Sequence, residues 1–280
     1  MKNKRILTVQ DISCVGQCSL TVALPILSAC GIETAILPSA VLSTHTAGFT
    51  GFTVRDLSGD IPAIAAHWQK EGIAFDCIYT GYLGSSKQVD YVLGLFDKNL
   101  LPGGSKVVDP AMGDGGRLYP AFDMHYVEAM KRLVAVSDVT LPNITEAAFL
   151  TGMEYKESYD EAYVRALCEA LCAMGALSVV LTGVGYEPDK TGVAVYERGE
   201  LQYYGHERIP KGSHGTGDIY ASAFVGAWLR GKDKLTAAAI AADYTVGCIL
   251  ATQDDPDHWY GVKFEPELGK LMKRVLSPVD

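Results

Sequence analysis

The sequence predicts an α/β fold: a three-layer α/β/α sandwich around a mostly parallel central sheet, with a β-hairpin at the sheet edge and a group of C-terminal helices. Three observations carry this expectation. Up to residue 182, short β-branched runs that are almost wholly apolar alternate with amphipathic helical stretches. That is the pattern of strands buried on both faces and joined by right-handed crossovers. Between residues 192 and 209, two strand-like runs are separated by Gly199-Glu200, a hairpin signal. After them only helical patterns follow. The 280 residues show no linker, low-complexity tract or internal repeat, so residues 1–280 are expected to form one domain with a full core.

Taken in order, residues 5–10 read as a strand and 17–30 as a helix ended by Gly31. Residues 34–38 are a strand, and 61–71 a helix ended by Gly72. A strand at 75–80 leads to a helix at 86–98, and a strand at 106–109 to a helix at 123–136. Residues 138–142 are a strand, 146–150 and 159–174 helices, and 178–182 a strand. The hairpin takes 192–198 and 201–209, and the last helices take 218–230, 234–251 and 265–275.

Hydrophobic residues at 48% and charged residues at 20% describe an ordinary globular chain. A net charge of −9 argues against a nucleic-acid partner, whose binding surface would be basic. No early stretch resembles a signal peptide, and apolar runs such as residues 20–29 are too short to span a bilayer. Seven cysteines without a CxxC motif suit small core positions in a reduced, cytoplasmic protein better than zinc or redox use, although Cys14/Cys18 and Cys168/Cys172 are spaced four apart.

The chemistry gathers where strands end, the place where open α/β sheets bind ligands. The most informative stretch is Lys211-Gly212-Ser213-His214-Gly215-Thr216-Gly217-Asp218, which runs into a small-residue helix. Its glycines let backbone approach a ligand closely, and the helix N-terminus behind them attracts phosphate. Asp218 is anomalous in an anion site, because a carboxylate repels phosphate. It makes sense as a base that takes a proton from a hydroxyl attacking a phosphoryl group. Three further strand ends empty into loops starting at Asp109, Asn143 and Gly183. The first loop carries Asp114-Gly115-Gly116, and the second carries Glu146. Two carboxylates, an Asn/Glu pair and a glycine-rich anion turn suit a magnesium–nucleotide site. Plainer readings stand beside these: Asn143 as a helix cap, Asp114-Gly115 as a simple turn, Gly183-Val184-Gly185 as an ordinary loop, and Asp11 as a cap for the helix after Gly16. His45 and His214 flank this region and could orient backbone or act directly. The long loop 42–56, with Gly48 and Gly51, is placed to close as a lid over a substrate.

On these residues the chain resembles the ribokinase-like superfamily, and within it the pyridoxal kinase branch, essentially from end to end. The superfamily motifs are Gly215-Thr216-Gly217-Asp218 and Asn143-Ile144-Thr145-Glu146. Branch-level matches are Thr80-Gly81-Tyr82-Leu83-Gly84-Ser85, Asp109-Pro110-Ala111-Met112-Gly113-Asp114, Leu141-Pro142-Asn143 and Ser43-Thr44-His45-Thr46. The resemblance implies ATP-dependent phosphorylation of the 5′-hydroxymethyl group of pyridoxal, pyridoxine or pyridoxamine. It implies Asp218 as the base at the substrate hydroxyl, with the N–H groups of Gly215, Thr216 and Gly217 as an anion hole. Asp109 and Glu146 would lie near the metal and triphosphate, Asn143 and Thr182 would contact phosphate with Gly183 alongside, and Asp114 would belong to the loop over the nucleotide. Thr46 and His45 would belong to the substrate pocket, with Tyr82 lining it. Relatives use Mg²⁺, often with a monovalent cation such as K⁺, and are commonly homodimers. One departure bears on the substrate. Pyridoxal kinases commonly place a Ser after the first strand, facing the ring nitrogen, where this chain has Asp11. Hydroxymethylpyrimidine kinases carry an Asp close to that place, so Asp11 could pair with a protonated ring nitrogen or an amino substituent. The competing expectations are a kinase for another hydroxymethyl compound, pyrimidine or sugar, and a non-catalytic nucleotide- or vitamin-binding protein.

Overall fold

The backbone leaves regular structure where the sequence suggested a helix should already have begun, and that departure shapes the site. The structure is a computed structural model and describes residues 4–210 and 214–277. Lys211, Gly212 and Ser213, the start of the stretch leading into the glycine turn, lie outside the described residues. In chain order the elements are β1 (Arg5–Ser13), α1 (Leu20–Ala29), β2 (Glu33–Leu42), β3 (Val54–Asp56), α2 (Ile61–Lys70), β4 (Phe75–Thr80) and α3 (Ser86–Lys98). Next come β5 (Leu100–Val108), β6 (Gly113–Asp114), β7 (Arg117–Leu118), α4 (Met124–Val134), β8 (Val139–Thr140), α5 (Ile144–Thr151) and α6 (Glu161–Met174). After these come β9 (Ser178–Val184), β10 (Lys190–Glu197), β11 (Glu200–Glu207), α7 (Thr216–Leu229), α8 (Lys234–Thr252) and α9 (Leu268–Leu276). They group into two compact units, Met1–Ile61 with Ile209–Asp280, and Pro62–Arg208.

In the first unit β1 and β2 pair in parallel, and β3 lies antiparallel to β2. Residues 42–56, expected as one long loop, therefore end in a strand that pairs Ala40 with Asp56. The β1–β2 register shifts between Gln10 and Ile12, a bulge that bends the strand beside Asp11. Helix α1 starts at Leu20 and not near residue 17, because Gly16 (φ 126°) and Ser19 (φ 53°) hold the chain outside the helical region. Helix α7 is buried along most of its length, from Ile219 to Leu229, and packs against α1 and α8. Its small residues permit close approach: a Cβ on Gly226 would stand 2.5 Å from the Cys30 Sγ. Burying Ile219 and Phe224 there stabilises the unit by about 1.5–3 kcal/mol each. The glycine turn thus projects from a rigid support.

Helix α8 corrects the expectation that every apolar run is too short for a bilayer, since by length and composition alone its 19 residues suffice. Its apolar side chains have a simpler cause, because Ala237, Ala238, Ile240, Ala241 and Tyr244 are buried in the unit's own core. The cysteines are all free. Cys30, Cys77, Cys168 and Cys248 are buried as expected, whereas Cys14 is exposed and Cys18 only half-buried.

The second unit orders its strands β11-β10-β9-β8-β5-β4. Strands β4, β5, β8 and β9 are parallel, and β9, β10 and β11 are antiparallel. The edge hairpin forms as expected, but its turn residues are Arg198 and Gly199, one position earlier than Gly199-Glu200. Both have positive φ, 54° and 85°, as the tight hairpin turns that match strand twist require. The stretch after Asp109 is a second, small hairpin rather than a loop: Gly113 pairs with Leu118 and Asp114 with Arg117. Gly115 and Gly116 make its turn, at φ 57° and 77°. Helix α5 begins at Ile144 with Asn143 as its cap, and ends at Gly152 in the left-handed conformation.

Candidate active site

In the first unit, the end of β1, the 14–19 segment and the start of α7 meet. Gly215 caps α7 at φ 79°, and a Cβ on it would lie 1.8 Å from the Gln17 carbonyl oxygen. Only glycine meets both demands, so the turn is locked against the segment that precedes α1. A Cβ on Gly217 would meet no atom within 4 Å. Asp218 is the third residue of α7, within the first turn, where N–H groups have no intrahelical acceptor.

Asp218 Oδ2 accepts a hydrogen bond from the Ser19 N–H at 2.9 Å. The Ser19 hydroxyl donates to Asp11 Oδ1 at 2.6 Å, and the Ser13 hydroxyl donates to Asp11 Oδ2 at 3.0 Å. Burial pushes the Asp218 carboxyl up to about 6, the Ser19 N–H pulls it down, and the Asp11 charge raises it further. Asp11 is buried, and burial raises its carboxyl against the opposing hydroxyl bonds. Cys18 lies beside both carboxylates, and burial pushes its thiol up to about 12, so it is neutral and a poor nucleophile at pH 7. A carboxyl titrating near 6 is ionised at neutral pH while remaining basic enough to receive a proton.

His45 is buried and engaged at both ring nitrogens. Nδ1 accepts from the Ala47 N–H at 3.1 Å, which assigns the ring proton to Nε2, 2.5 Å from the Tyr260 carbonyl oxygen. It thereby ties the 43–53 segment to the residues around Tyr260. Phe49 packs on Trp259 with ring centroids 4.6 Å apart, and a Cβ on Gly48 would come within 2.9 Å of the Trp259 ring. His214 is exposed, its ring 5.8 Å from that of His45, and partial desolvation lowers its basicity. Thr46 is exposed on the same segment.

In the second unit, Asn143 and Glu146 form a reciprocal capping box. The Glu146 N–H donates to Asn143 Oδ1 at 2.9 Å, and the Asn143 N–H donates to Glu146 Oε2 at 2.9 Å. The other Glu146 oxygen accepts from the Met112 N–H at 3.0 Å, and Asn143 Nδ2 donates to the Gly113 carbonyl at 2.8 Å. Thr145 Oγ1 takes the Gly116 N–H at 2.9 Å. The first turn of α5 therefore pins the β6–β7 hairpin, with Glu146 as a buried central post whose carboxyl burial drives upward. Asp109 is buried at the end of β5, its N–H bonded to the Thr80 carbonyl at 3.0 Å, whereas Asp114 is exposed. Thr182 bonds through its N–H to the Pro142 carbonyl at 2.9 Å and forms a bridge with Asn143. Gly183 follows at φ 70°. Tyr82 is half-buried, 5.3 Å from Phe122 between ring centroids. Among the described residues, no group of three or more His, Cys, Asp or Glu is arranged to hold a metal. A hard cation that keeps most of its water and phosphate ligands needs no such group.

The model of the phosphomethylpyrimidine kinase family matches residues 27–261. The chain belongs to that family. Its members share the ribokinase-like α/β fold expected from the sequence, and solved relatives superpose on nearly the whole chain. Pyridoxal kinase from Lactobacillus plantarum is 36% identical, covering 96% of this chain and 97% of its own, with a TM-score of 0.89. A Bacteroides thetaiotaomicron protein described as a phosphomethylpyrimidine kinase, crystallised with pyridoxal, is 36% identical over 99% of this chain and 97% of its own, with a TM-score of 0.90. Pyridoxal kinase from Arabidopsis thaliana is 26% identical over 98% of this chain and 89% of its own length.

In this kinase family member, the structure links Asp218 to Asp11 through Ser19 and gathers Asn143, Glu146, Thr182 and the β6–β7 hairpin around the start of α5. Sequence reasoning missed Ser13 and Ser19, the hydroxyls on Asp11, and the aromatic pair Phe49–Trp259. A lone serine before a helix signals a cap and nothing more, so no local pattern pointed to Ser19. The run His258-Trp259-Tyr260 was a visible aromatic cluster, but nothing in its sequence neighbourhood tied it to the residue 43–53 segment.

Proposed function

We propose that the protein transfers the γ-phosphoryl group of ATP to the 5′-hydroxymethyl group of a vitamin B6 vitamer. The observation that carries this reading is Asp218, a carboxyl brought to about 6 by burial and set in the first turn of a glycine-capped helix. Asp218 takes the proton of the attacking hydroxyl, and the N–H groups of Gly215, Thr216 and Gly217 receive the negative charge that grows on the phosphoryl oxygens. The resemblance gives the nucleotide phosphates to Asn143, Thr182, Gly183 and the Asp114 hairpin. Asp109 would hold Mg²⁺, with Glu146 acting through water because both its oxygens already accept backbone N–H groups. Mg²⁺ held there would neutralise phosphate charge. An all-oxygen donor set of this kind suits Mg²⁺ rather than a softer metal.

For the acceptor, Thr46 contacts the vitamer, and His45 anchors the 43–53 segment, which serves as a lid; the resemblance also gives Tyr82 a substrate contact. We further propose a cytoplasmic homodimer that uses K⁺ alongside Mg²⁺, a setting in which seven free cysteines stay reduced. A second reading, a hydroxymethylpyrimidine kinase, is favoured by the match to the family model. The test is a coupled ATP-consumption assay offering pyridoxal, pyridoxine, pyridoxamine, hydroxymethylpyrimidine and ribose. Fastest turnover with a B6 vitamer is expected. Preference for the pyrimidine would install the second reading, and no turnover at all would favour a non-catalytic binder.

A further inference from the structure

Ser19 departs from what a serine before a helix normally does in two ways. An N-cap serine adopts extended dihedrals and uses its oxygen to accept an N–H of the first helical turn. Ser19 instead sits at φ 53°, ψ −135°, a combination otherwise dominated by glycine, and makes no side-chain cap. Its carbonyl still begins α1, accepting from the Val22 and Ala23 N–H groups. The forgone cap and the strained backbone place two bonds at once: the N–H on Asp218 Oδ2 and the hydroxyl on Asp11 Oδ1. Backbone strain of this kind persists only where surrounding contacts hold it. The holder here is Asp11, buried at 5% exposure and steadied by Ser13.

We propose that Ser19 is a positioning residue for the base, and that Asp11 acts on Asp218 through Ser19 rather than through the substrate ring. The inference rests on the kinase reading above. Asp11 pins the Ser19 hydroxyl, the pinned residue presents its N–H, and that N–H fixes one oxygen of Asp218 so that the other faces the acceptor hydroxyl. It also holds the base's affinity for protons in check. Among the described residues, the titratable groups facing Asp218 are Asp11 and Cys18, with His45 beside Asp11 and His214 beside His45.

The test uses glycine, which takes φ 53° without strain and keeps the N–H but lacks the hydroxyl. Phosphorylation of pyridoxal is followed against pH for Ser19→Ala, Ser19→Gly and Asp11→Ala, and for Asp11→Ala combined with Ser19→Gly. Ser19→Ala is expected to lower kcat about tenfold and to move the acid limb of kcat/KM upward by about one pH unit, as a charge-assisted bond to the base is lost. Ser19→Gly recovers most of both losses relative to Ser19→Ala. Asp11→Ala costs about tenfold beside Ser19 but less than about threefold in the Ser19→Gly background, where nothing remains to be pinned. An equal loss in both backgrounds overturns the inference and assigns Asp11 to the substrate. An acid limb unmoved in Ser19→Ala overturns it as well. Should Ser19→Ala fail to fold, the Asp11 comparison, repeated with Asp11→Asn, decides alone. Asp218→Asn separates this inference from the reading beneath it: normal turnover there would sink the assignment of the base, whereas an inactive Asp218→Asn with a flat Ser19 series would sink only the role of Ser19.

Discussion

Replacing Asp218 by Asn removes the charge and keeps an oxygen that can accept the Ser19 N–H. Two opposite effects are expected from the one change. Turnover should fall by about 10²–10⁴, the share a positioned base contributes. Stability should rise. The Asp218 carboxyl ordinarily titrates at 3.8 and is brought to about 6 in the folded chain, so folding prefers its protonated form. Below about pH 4 the acid is protonated folded or unfolded, and the preference is fully satisfied. As pH rises through about 6 the folded protein must carry a buried charge, and that part of its stability is lost. Two units at about 1.4 kcal/mol each would give about 3 kcal/mol, but Asp218 keeps some solvent exposure, and screening reduces this to about 1 kcal/mol. In a chain of this size that corresponds to a rise in Tm of roughly 2–4 °C. The assays are steady-state phosphorylation and thermal melts of both proteins between pH 4 and 8. The Tm gap should widen from pH 4 to about 6 and stay constant above. A variant with wild-type turnover would refute the role of Asp218, and a variant that melts lower at pH 8 would refute the account of its environment.

Three further outcomes are expected. Glu146→Ala leaves the N–H groups of Met112 and Asn143 without their acceptor in a buried site, so stability should drop by about 2–4 kcal/mol and the KM for ATP should rise, read by urea unfolding and kinetics. Gly215→Ala sets a Cβ against the Gln17 carbonyl at a positive φ; kcat should fall at least tenfold, and unchanged kcat would mean that the turn is not the anion hole. Trp259→Ala removes the partner of Phe49 and should raise the KM for the vitamer several-fold while leaving that for ATP alone; equal changes in both would count against the 43–53 segment as an acceptor lid.

The residues at the start of α5 were legible because their bonds are local. Asn143 and Glu146 are three residues apart, the spacing of a capping box, and the structure forms that box. The β6–β7 hairpin was less legible, since two residues per strand are too few for alternation to register. Helix α1 begins later than the apolar pattern suggests because Gly16 and Ser19 hold positive φ, set by contacts with distant parts of the chain.

What the sequence by itself determined is the alternation of strands and helices and the glycine turn before α7, with a carboxylate in the first turn of that helix. Each follows from residue type and spacing within one or two helical turns. Only the tertiary structure decided what surrounds that carboxylate. Ser19 and Asp218 are 199 positions apart, and the bond between them forms because α1 packs against α7. Burial brings Asp218 near 6, and burial belongs to the packed chain, not to any segment of it. The same holds for Asp11, whose partners Ser13 and Ser19 flank a loop with no regular pattern. Periodicity and motif spacing report short-range geometry; the electrostatics of a carboxylate depend on everything folded around it.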